Sequence, residues 1–437
     1  MCQPGGQTGD GRTHHSRRGC VPLYLDISIA LVVFMGLASG GILSLVLMSE
    51  RRQQTNFSIM LALSLFLALG GGTGMIAALP NVASSLTNML ILLVLSMSLG
   101  YTLTAFSVLS PRRKKWSLEA PQPMARGERT AVILLMPGEP PNYSVWSAAR
   151  RLELADDPKD VPPILLRPFY MRDLKHKYAA LGSSPYRVHQ HRLAEEIRSR
   201  LESGYSVYEA YYSDHPTLTE AAVEAIEQGA RRIIVAHVRV TDPPDPIMQG
   251  ELWEGLDLDG LGVKVTQVGP MWVSSLLPQI YVRRVIEAIP QAGNTPDDVG
   301  LLIVGRGHGP DGETAQARQE QEESFQRKVR QALLRVGFGE DRVVIGWVRR
   351  SPNCAEALQT LAAAGCKSVY VIPSAFVADG ITTLFDIPAQ VQAIADERGI
   401  KLSYLPAWNA DGLAAEEIAV YVRAVSAPAL MELGIQS

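Results

Sequence analysis

The chain has 437 residues, with 41 Lys and Arg against 44 Asp and Glu and a formal net charge of −3. That near balance supplies no global basic field, so nucleic acid is not the expected partner. Its four cysteines, Cys2, Cys20, Cys354 and Cys366, form no C-x-x-C pair. This argues against a zinc ribbon or a disulfide framework and suits a reducing compartment.

Residues 1–22 are glycine-rich and polar and read as a disordered tail. Three long apolar runs then fill residues 23–111: about Leu25–Met48, Phe57–Leu79 and Leu86–Leu109. Each has roughly the 20 residues that a bilayer-spanning helix needs, and the first begins too late for a cleaved signal peptide. A three-helix transmembrane anchor is expected, with the lipid bilayer as its partner. No charge lies inside a run, Asp26 standing at the edge of the first, so a transport path has little to work with. Gly36 with Gly40, and Gly70 with Gly74, are small-xxx-small pairs that let helices approach closely. Arg51 and Arg52 follow the first run, and Arg112, Arg113, Lys114 and Lys115 follow the third, two crossings later. The positive-inside bias therefore puts the soluble part in the cytoplasm and the tail outside. Arg12, Arg17 and Arg18 in the tail pull the other way more weakly.

Residues 112–129 read as a basic and polar linker with two prolines. From Thr130 onward, apolar runs of strand length alternate with helical patterns. Strands are expected at Ala131–Met136, Val207–Tyr211, Arg232–His237, Val263–Val268, Gly300–Gly305, Arg342–Trp347, Val369–Ile372 and Lys401–Leu405. Helices are expected at His189–Ser203, Thr219–Gln228, Ser274–Ala288, Gln316–Val336, Cys354–Ala364, Ile387–Arg398 and Gly412–Val425. Such alternation gives an α/β fold with parallel sheets and right-handed crossovers.

The soluble part repeats itself. Pro216-x-x-x-Glu220-Ala221, Gly229 and Ile233-Ile234-Val235 have counterparts 136 residues on: Pro352-x-x-x-Glu356-Ala357, Gly365 and Val369-Tyr370-Val371. The first strands correspond too, AVILLMPG at 131–138 with GLLIVGRG at 300–307. Two similar doubly wound lobes, 130–290 and 298–433, are expected to face each other across a ligand cleft. Val369–Pro388, a strand that ends in a polar loop and turns into a helix, is the kind of edge where open α/β sheets bind ligands.

Several stretches resemble the class II chelatases, above all ferrochelatase. Asp173-Leu174-Lys175, Tyr178 and Leu181-Gly182-Ser183-Ser184-Pro185 are similar to the segment before that family's first long helix. His215-Pro216 with Glu220-Ala221 resembles the His-Pro motif of the sirohydrochlorin-type members. FVADGITTLFDI at 376–387 resembles the signature Phe-Val-Ser-Asp-His-x-Glu-Thr-Leu-Tyr-Glu-Ile, and Leu405-Pro406-x-x-Asn409 resembles a late Pro-x-Leu-Asn segment. The likeness spans about residues 130–430. Gly380 and Thr382 stand where the signature has its His and Glu.

The resemblance implies a membrane-anchored, ferrochelatase-like lyase that inserts Fe²⁺ into a porphyrin in haem biosynthesis. Iron is the substrate, and no tightly bound cofactor is expected. It implies His308, in His-Gly-Pro, as base or metal ligand, and His237 as a second metal-ligand candidate. Asp379 is the implied catalytic acid, with Asp386 and Glu139 as alternatives for the missing carboxylate. Arg306, Phe376, Tyr178, Ser184, Pro185 and Thr382 are the implied substrate contacts. An imidazole titrates near neutrality and can accept a pyrrole proton or ligate iron, and a carboxylate attracts the cation. Plainer readings stand beside these. Asp379 could cap a helix, Arg306 could be a surface charge, His237 a satisfied buried side chain and His215 a turn residue. Loss of the signature His and Glu favours a non-catalytic tetrapyrrole or metal carrier; the His-Pro motif favours a sirohydrochlorin or cobalt chelatase.

Overall fold

The computed structural model describes residues 21–78, 82–110, 130–154, 161–201, 203–242, 253, 255–308 and 313–426. The linker lies outside these residues, as does the tail except for residues 21 and 22, which open the first helix. The chain divides into two compact bodies, one reaching to Ser110 with Ile164–Phe169 added, the other holding the remainder.

The first body is built on helices α1 (Val21–Met48), α2 (Arg51–Ala78) and α3 (Val82–Leu109). Within them Leu25–Met48, Arg51–Gly74 and Ser84–Leu109 are long and apolar enough to cross a membrane. Helix α1 packs against both others, which touch each other far less. A Cβ at Gly40 would fall on the Met97 carbonyl and one at Gly100 on the Leu37 carbonyl, so α1 and α3 cross almost backbone to backbone. Gly70, expected to pack, faces open space; Gly71 and Gly72 meet Leu31 and Met89 instead. The Ser39 and Ser64 hydroxyls are 2.8 Å apart and link α1 to α2. Phe34, Phe66, Leu95 and Phe106 point outward, as side chains facing acyl chains do.

The second body holds two four-stranded, fully parallel sheets. Strands β1 (Thr130–Met136), β2 (Tyr205–Tyr211), β3 (Arg232–His237) and β4 (Lys264–Val268) lie in the order β2-β1-β3-β4. Strands β5 (Val299–Gly305), β6 (Val343–Trp347), β7 (Ser368–Ile372) and β8 (Lys401–Tyr404) lie in the order β6-β5-β7-β8. The two orders are the same, as the sequence repeat requires. Alternation along each strand sends side chains to opposite faces. Val132, Leu134 and Met136 join Leu301 and Ile303 in one core shared by both sheets. Ala131, Ile133 and Leu135 turn to a separate outer core of the first lobe, and Leu302 and Val304 to that of the second. The shared core makes the two lobes one body.

Helices α4 (Val145–Glu153), α5 (Arg167–Leu181), α6 (Tyr186–Arg200), α7 (Leu218–Glu227), α8 (Leu277–Gln291), α9 (Glu313–Arg335), α10 (Cys354–Ala363), α11 (Ile387–Arg398) and α12 (Gly412–Ser426) complete it. The expected helices are present with ends shifted by up to three residues. Helices α4 and α5 were not expected, because their apolar stripes are short and interrupted by Arg and Lys. The repeat extends to capping. Thr217 and Glu220 form a capping box on α7, and Asn353 and Glu356 form the same box 136 residues later on α10. His215 belongs to this device: its Nδ1 is 2.8 Å from Glu220 Oε2 and its ring stacks on Trp146 at 4.0 Å. Ser351 at the equivalent place donates to Glu356 Oε2 at 2.8 Å. The His-Pro pair is therefore a turn and cap element here. Thr217→Ala and Asn353→Ala should each destabilise by about 1 kcal/mol, lowering the thermal midpoint of the purified protein by roughly 2–4 °C. A midpoint unchanged in both variants would show that the caps do not limit stability.

Candidate functional site

In a parallel sheet all strands end on the same edge, so loops after β1, β3, β5, β6 and β7 collect there. They line one cavity of about 530 Å³ between the lobes, with walls from Gly138 and Glu139, Arg239, Arg306 and His308, Arg349, and Phe376, Ala378, Gly380 and Thr382. Glu139 and His308 occupy matching places, since the turns 137–139 and 306–308 follow the paired strands β1 and β5. The glycine before each is left-handed, with φ of 84° at Gly138 and 77° at Gly307. Glu139 is 7% exposed and His308 6%.

His308 is held by α9. Its backbone N–H donates to Gln319 Oε1 at 2.8 Å, and its Nε2 lies 3.4 Å from Glu322 Oε2. The buried Glu322 carboxylate also accepts the N–H groups of Arg306, at 2.6 Å, and Gly307, at 3.1 Å. Two backbone donors hold this carboxylate in place beside the His308 ring. One turn on, Gln326 accepts from the Ser374 hydroxyl of the signature loop. Gln319, Glu322 and Gln326 were missed as site residues. The signal was present: they share a helix face with buried Phe325, Val329 and Leu333, where amphipathic spacing calls for apolar side chains.

Glu139 joins the lobes. It accepts from the Ser184 hydroxyl and from the Ile381 N–H at 2.9 Å, and Arg151 lies 3.7 Å away. A Cβ at position 380 would sit 2.6 Å from Glu139 Oε1. The carboxylate therefore occupies the space that a side chain at 380 would need. A side chain at 380 would have to displace that carboxylate.

The other expected site residues divide. Arg306, Phe376 and Thr382 line the cavity with His308, and the Arg306 guanidinium lies 5.7 Å from the Phe376 ring centroid. Thr382 opens a π-helical turn, Thr382–Asp386, ahead of α11. Asp379 is not on this wall. Its carboxylate accepts from Ala407 N at 3.1 Å and Asn409 Nδ2 at 2.7 Å, tying the signature loop to the loop after β8. Asp386 is paired with Lys177 at 2.9 Å. Tyr178 is buried against Tyr143, while Tyr170 and Tyr186 line the cavity in its place. Ser184 acts through Glu139, and Pro185 precedes the first turn of α6.

His237 does not join His308 as a ligand pair. Its Nδ1 is 2.6 Å from the Tyr212 hydroxyl and its Nε2 is 2.9 Å from Gln267 Oε1, so both ring nitrogens are engaged. Tyr212, which lines the cavity, stands between it and the space. Burial drives the His237 pKa down to about 4, leaving a neutral ring. Among the described residues no three His, Cys, Asp or Glu side chains are gathered to hold a metal ion. Burial pushes the Cys354 thiol up to about 12 and raises that of Cys366, so neither is a thiolate at neutral pH.

The ferrochelatase family model matches residues 342–425, the second lobe from β6 to α12. A ferrochelatase of Geotalea daltonii is 24% identical over 321 residues, 68% of this chain and 98% of that protein. Over most of its α/β part the chain is thus similar to ferrochelatases. A ferrochelatase of Geotalea uraniireducens is 24% identical over 296 residues, 63% of this chain and 90% of that protein. The coproporphyrin III ferrochelatase of Mycobacterium ulcerans is 35% identical over 89 residues, 18% of this chain and 26% of that protein. Among solved structures, SirB from Bacillus subtilis with Fe3+ superposes with a TM-score of 0.45 at 13% identity, over 68% of this chain and 96% of that one. Against the signature of that family, the loop differs at Gly380 and Thr382, and the cavity carboxylates come from β1's turn and from α9.

His237 sets a pH dependence. Its folded pKa, about 4, lies below its ordinary 6.5. Above pH 6.5 the ring is neutral whether folded or not, so the folded state keeps its full stability. As pH falls from 6.5 to 4 the unfolded chain takes up a proton that the folded chain refuses, costing about 3 kcal/mol by pH 4. Unfolding midpoints measured at pH 7, 6, 5 and 4 should fall less steeply for His237→Gln than for the parent. Parallel curves would show that another group controls this window.

Proposed function

We propose that this protein inserts a divalent metal ion, Fe²⁺ first among them, into a tetrapyrrole held between the lobes, with α1–α3 anchoring it in a membrane. The observation that carries this reading is the placement of His308 and Glu139 at equivalent strand ends of the two lobes, on one cavity. The named relatives are ferrochelatases, and the cavity is of a size that ligand sites commonly have.

The reaction removes two pyrrole N–H protons as the dication enters, so the site must take up protons and attract the metal. His308 is the proton acceptor: its neutral imidazole takes a pyrrole proton, and the Glu322 carboxylate 3.4 Å away stabilises the imidazolium. Glu139 supplies negative charge on the opposite lobe, the part a signature carboxylate at 382 would play. Asp379 and Asp386 are committed to Asn409 and Lys177, which leaves Glu139 as the cavity carboxylate of the three expected ones. The Phe376 ring offers an apolar surface to the macrocycle. A carrier that binds tetrapyrrole without metallating it is the second reading, favoured by Gly380 and Thr382.

Purified full-length protein mixed anaerobically with porphyrin and Fe²⁺ or Zn²⁺ should shift the Soret band to that of the metalloporphyrin. His308→Ala should slow insertion by about 10²-fold or more with porphyrin affinity within a few-fold of the parent. Glu139→Gln should lower the rate at subsaturating metal more than at saturation. Binding with no insertion by the parent would discard the enzyme and leave the carrier. For topology, in a variant with Cys2 and Cys20 changed to Ser, a cysteine placed at exposed Gln392 should be shielded from an impermeant thiol reagent in intact cells and react after lysis. Labelling before lysis would put the α/β part outside.

A further inference from the structure

Helix α5 carries part of the cavity wall yet is thinly held. Tyr170, near its start, lines the cavity. Met171, Leu174 and Tyr178 form a buried inner stripe with the spacing of one helix face. Among the described elements no helix or strand runs close along the backbone of α5, so these side chains carry most of its attachment. Elements with so few neighbours are the ones that open locally.

The end of α5 has the form of a pivot. The helix stops at Gly182, whose φ of 82° is left-handed and where an added Cβ would meet nothing. The next two residues are fixed to the turn after β1. The Ser184 N–H donates to the Pro141 carbonyl at 2.8 Å, the Ser183 hydroxyl to the same carbonyl at 3.2 Å, and the Ser184 hydroxyl to Glu139. Before the pivot, Lys177 crosses to the other lobe. Its Nζ lies 2.9 Å from Asp386, at the end of the π-helical turn, and 3.0 Å from Asp173, one turn back on α5 itself. Breaking the interlobe pair therefore leaves the lysine paired and the aspartate in water. The two side chains are 25% and 26% exposed, so the pair is of the weak kind that forms and breaks readily. The other tie from the first lobe to this stretch, Glu139 to the Ile381 N–H, is buried and does not involve α5.

We infer that α5 is a lid on the cavity, latched across the cleft by Lys177 and Asp386. Ligands enter and leave through a state in which this pair is broken and α5 swings about Gly182. The inference rests on the tetrapyrrole reading above only for the identity of the ligand. A latch this weak suits an opening that recurs in every catalytic cycle. Because the pair is partly exposed, salt screens it and favours the open state.

The test uses the full-length protein in detergent. In a background with Cys2 and Cys20 changed to Ser, Met171→Cys puts a thiol on the inner face of α5, where a bulky uncharged maleimide reaches it once the lid lifts. Lys177→Met and Asp386→Asn should each speed its labelling about two- to fivefold, the reach of a partly exposed ion pair. The double variant should be no faster than either single one, because both break the same interaction. Raising the salt to 1 M should speed labelling of the parent and leave the variants unchanged. As a second measurement, without the added cysteine, stopped-flow binding of protoporphyrin IX should show association and dissociation rate constants rising by the same factor in each variant, with Kd close to that of the parent. A loosened lid acts in both directions, whereas a lost ligand contact raises dissociation alone. Equal labelling rates in parent and variants, additive effects in the double variant, or a change in dissociation alone would overturn the lid. If no porphyrin binds, the tetrapyrrole reading falls and the labelling rates still decide the latch.

Discussion

A carboxylate buried between two lobes must be satisfied from both sides, and Glu139 imposes that condition on everything around it. From its own lobe it takes the Ser184 hydroxyl and the nearby Arg151; from the other it takes the Ile381 N–H. An ionised group this buried is tolerated only with such partners. Its bulk fills the position that a side chain at 380 would use, so the glycine in the signature loop and the glutamate after β1 are two halves of one arrangement. Neither is intelligible alone. Seen from the sequence of the loop, position 380 has lost a functional group; seen from the cavity, a carboxylate has entered that space from the opposite lobe.

Duplication makes this exchange possible. Because β1 and β5 are equivalent, the turns that follow them bring residues 139 and 308 to the same wall, and the shared core of Val132, Leu134, Met136, Leu301 and Ile303 holds the turns in register. A two-lobed α/β body offers each function two addresses. Chemistry can move from one lobe to the other without moving in space.

The eight strands were legible because a buried parallel strand is a continuous apolar run, and the 136-residue repeat showed the two lobes to be alike; the order β2-β1-β3-β4 came from the structure. Helices α4 and α5 were not, since their apolar positions are diluted by Arg150, Arg151, Arg172 and Lys175. Of the residues singled out from the sequence, Arg306 and His308 after β5 and Phe376 and Thr382 after β7 line the cavity. Asp379 misled because an Asp beside a signature glycine looks available, whereas Asn409, thirty residues on, binds it. His237 misled similarly. A His at a strand's carboxyl edge suggests a ligand, and only the third dimension shows Tyr212 in front of it and Gln267 beside it. Glu322 was passed over although it shares a helix face with buried Phe325, Val329 and Leu333.

Glu322 also sets His308 apart from the other buried histidine of this fold, His237. Desolvation alone lowers an imidazole's pKa, as His237 demonstrates in the same lobe-and-cleft fold with neutral partners on both nitrogens. His308 is about as buried, at 6% against 4% exposure, but its ring faces a carboxylate that two backbone N–H groups hold in place. The difference between the two histidines is the charge of the partner, not the depth of burial. That contrast is what supports the proposal of proton uptake at the histidine beside Glu322, while the other is bound on both nitrogens by neutral partners.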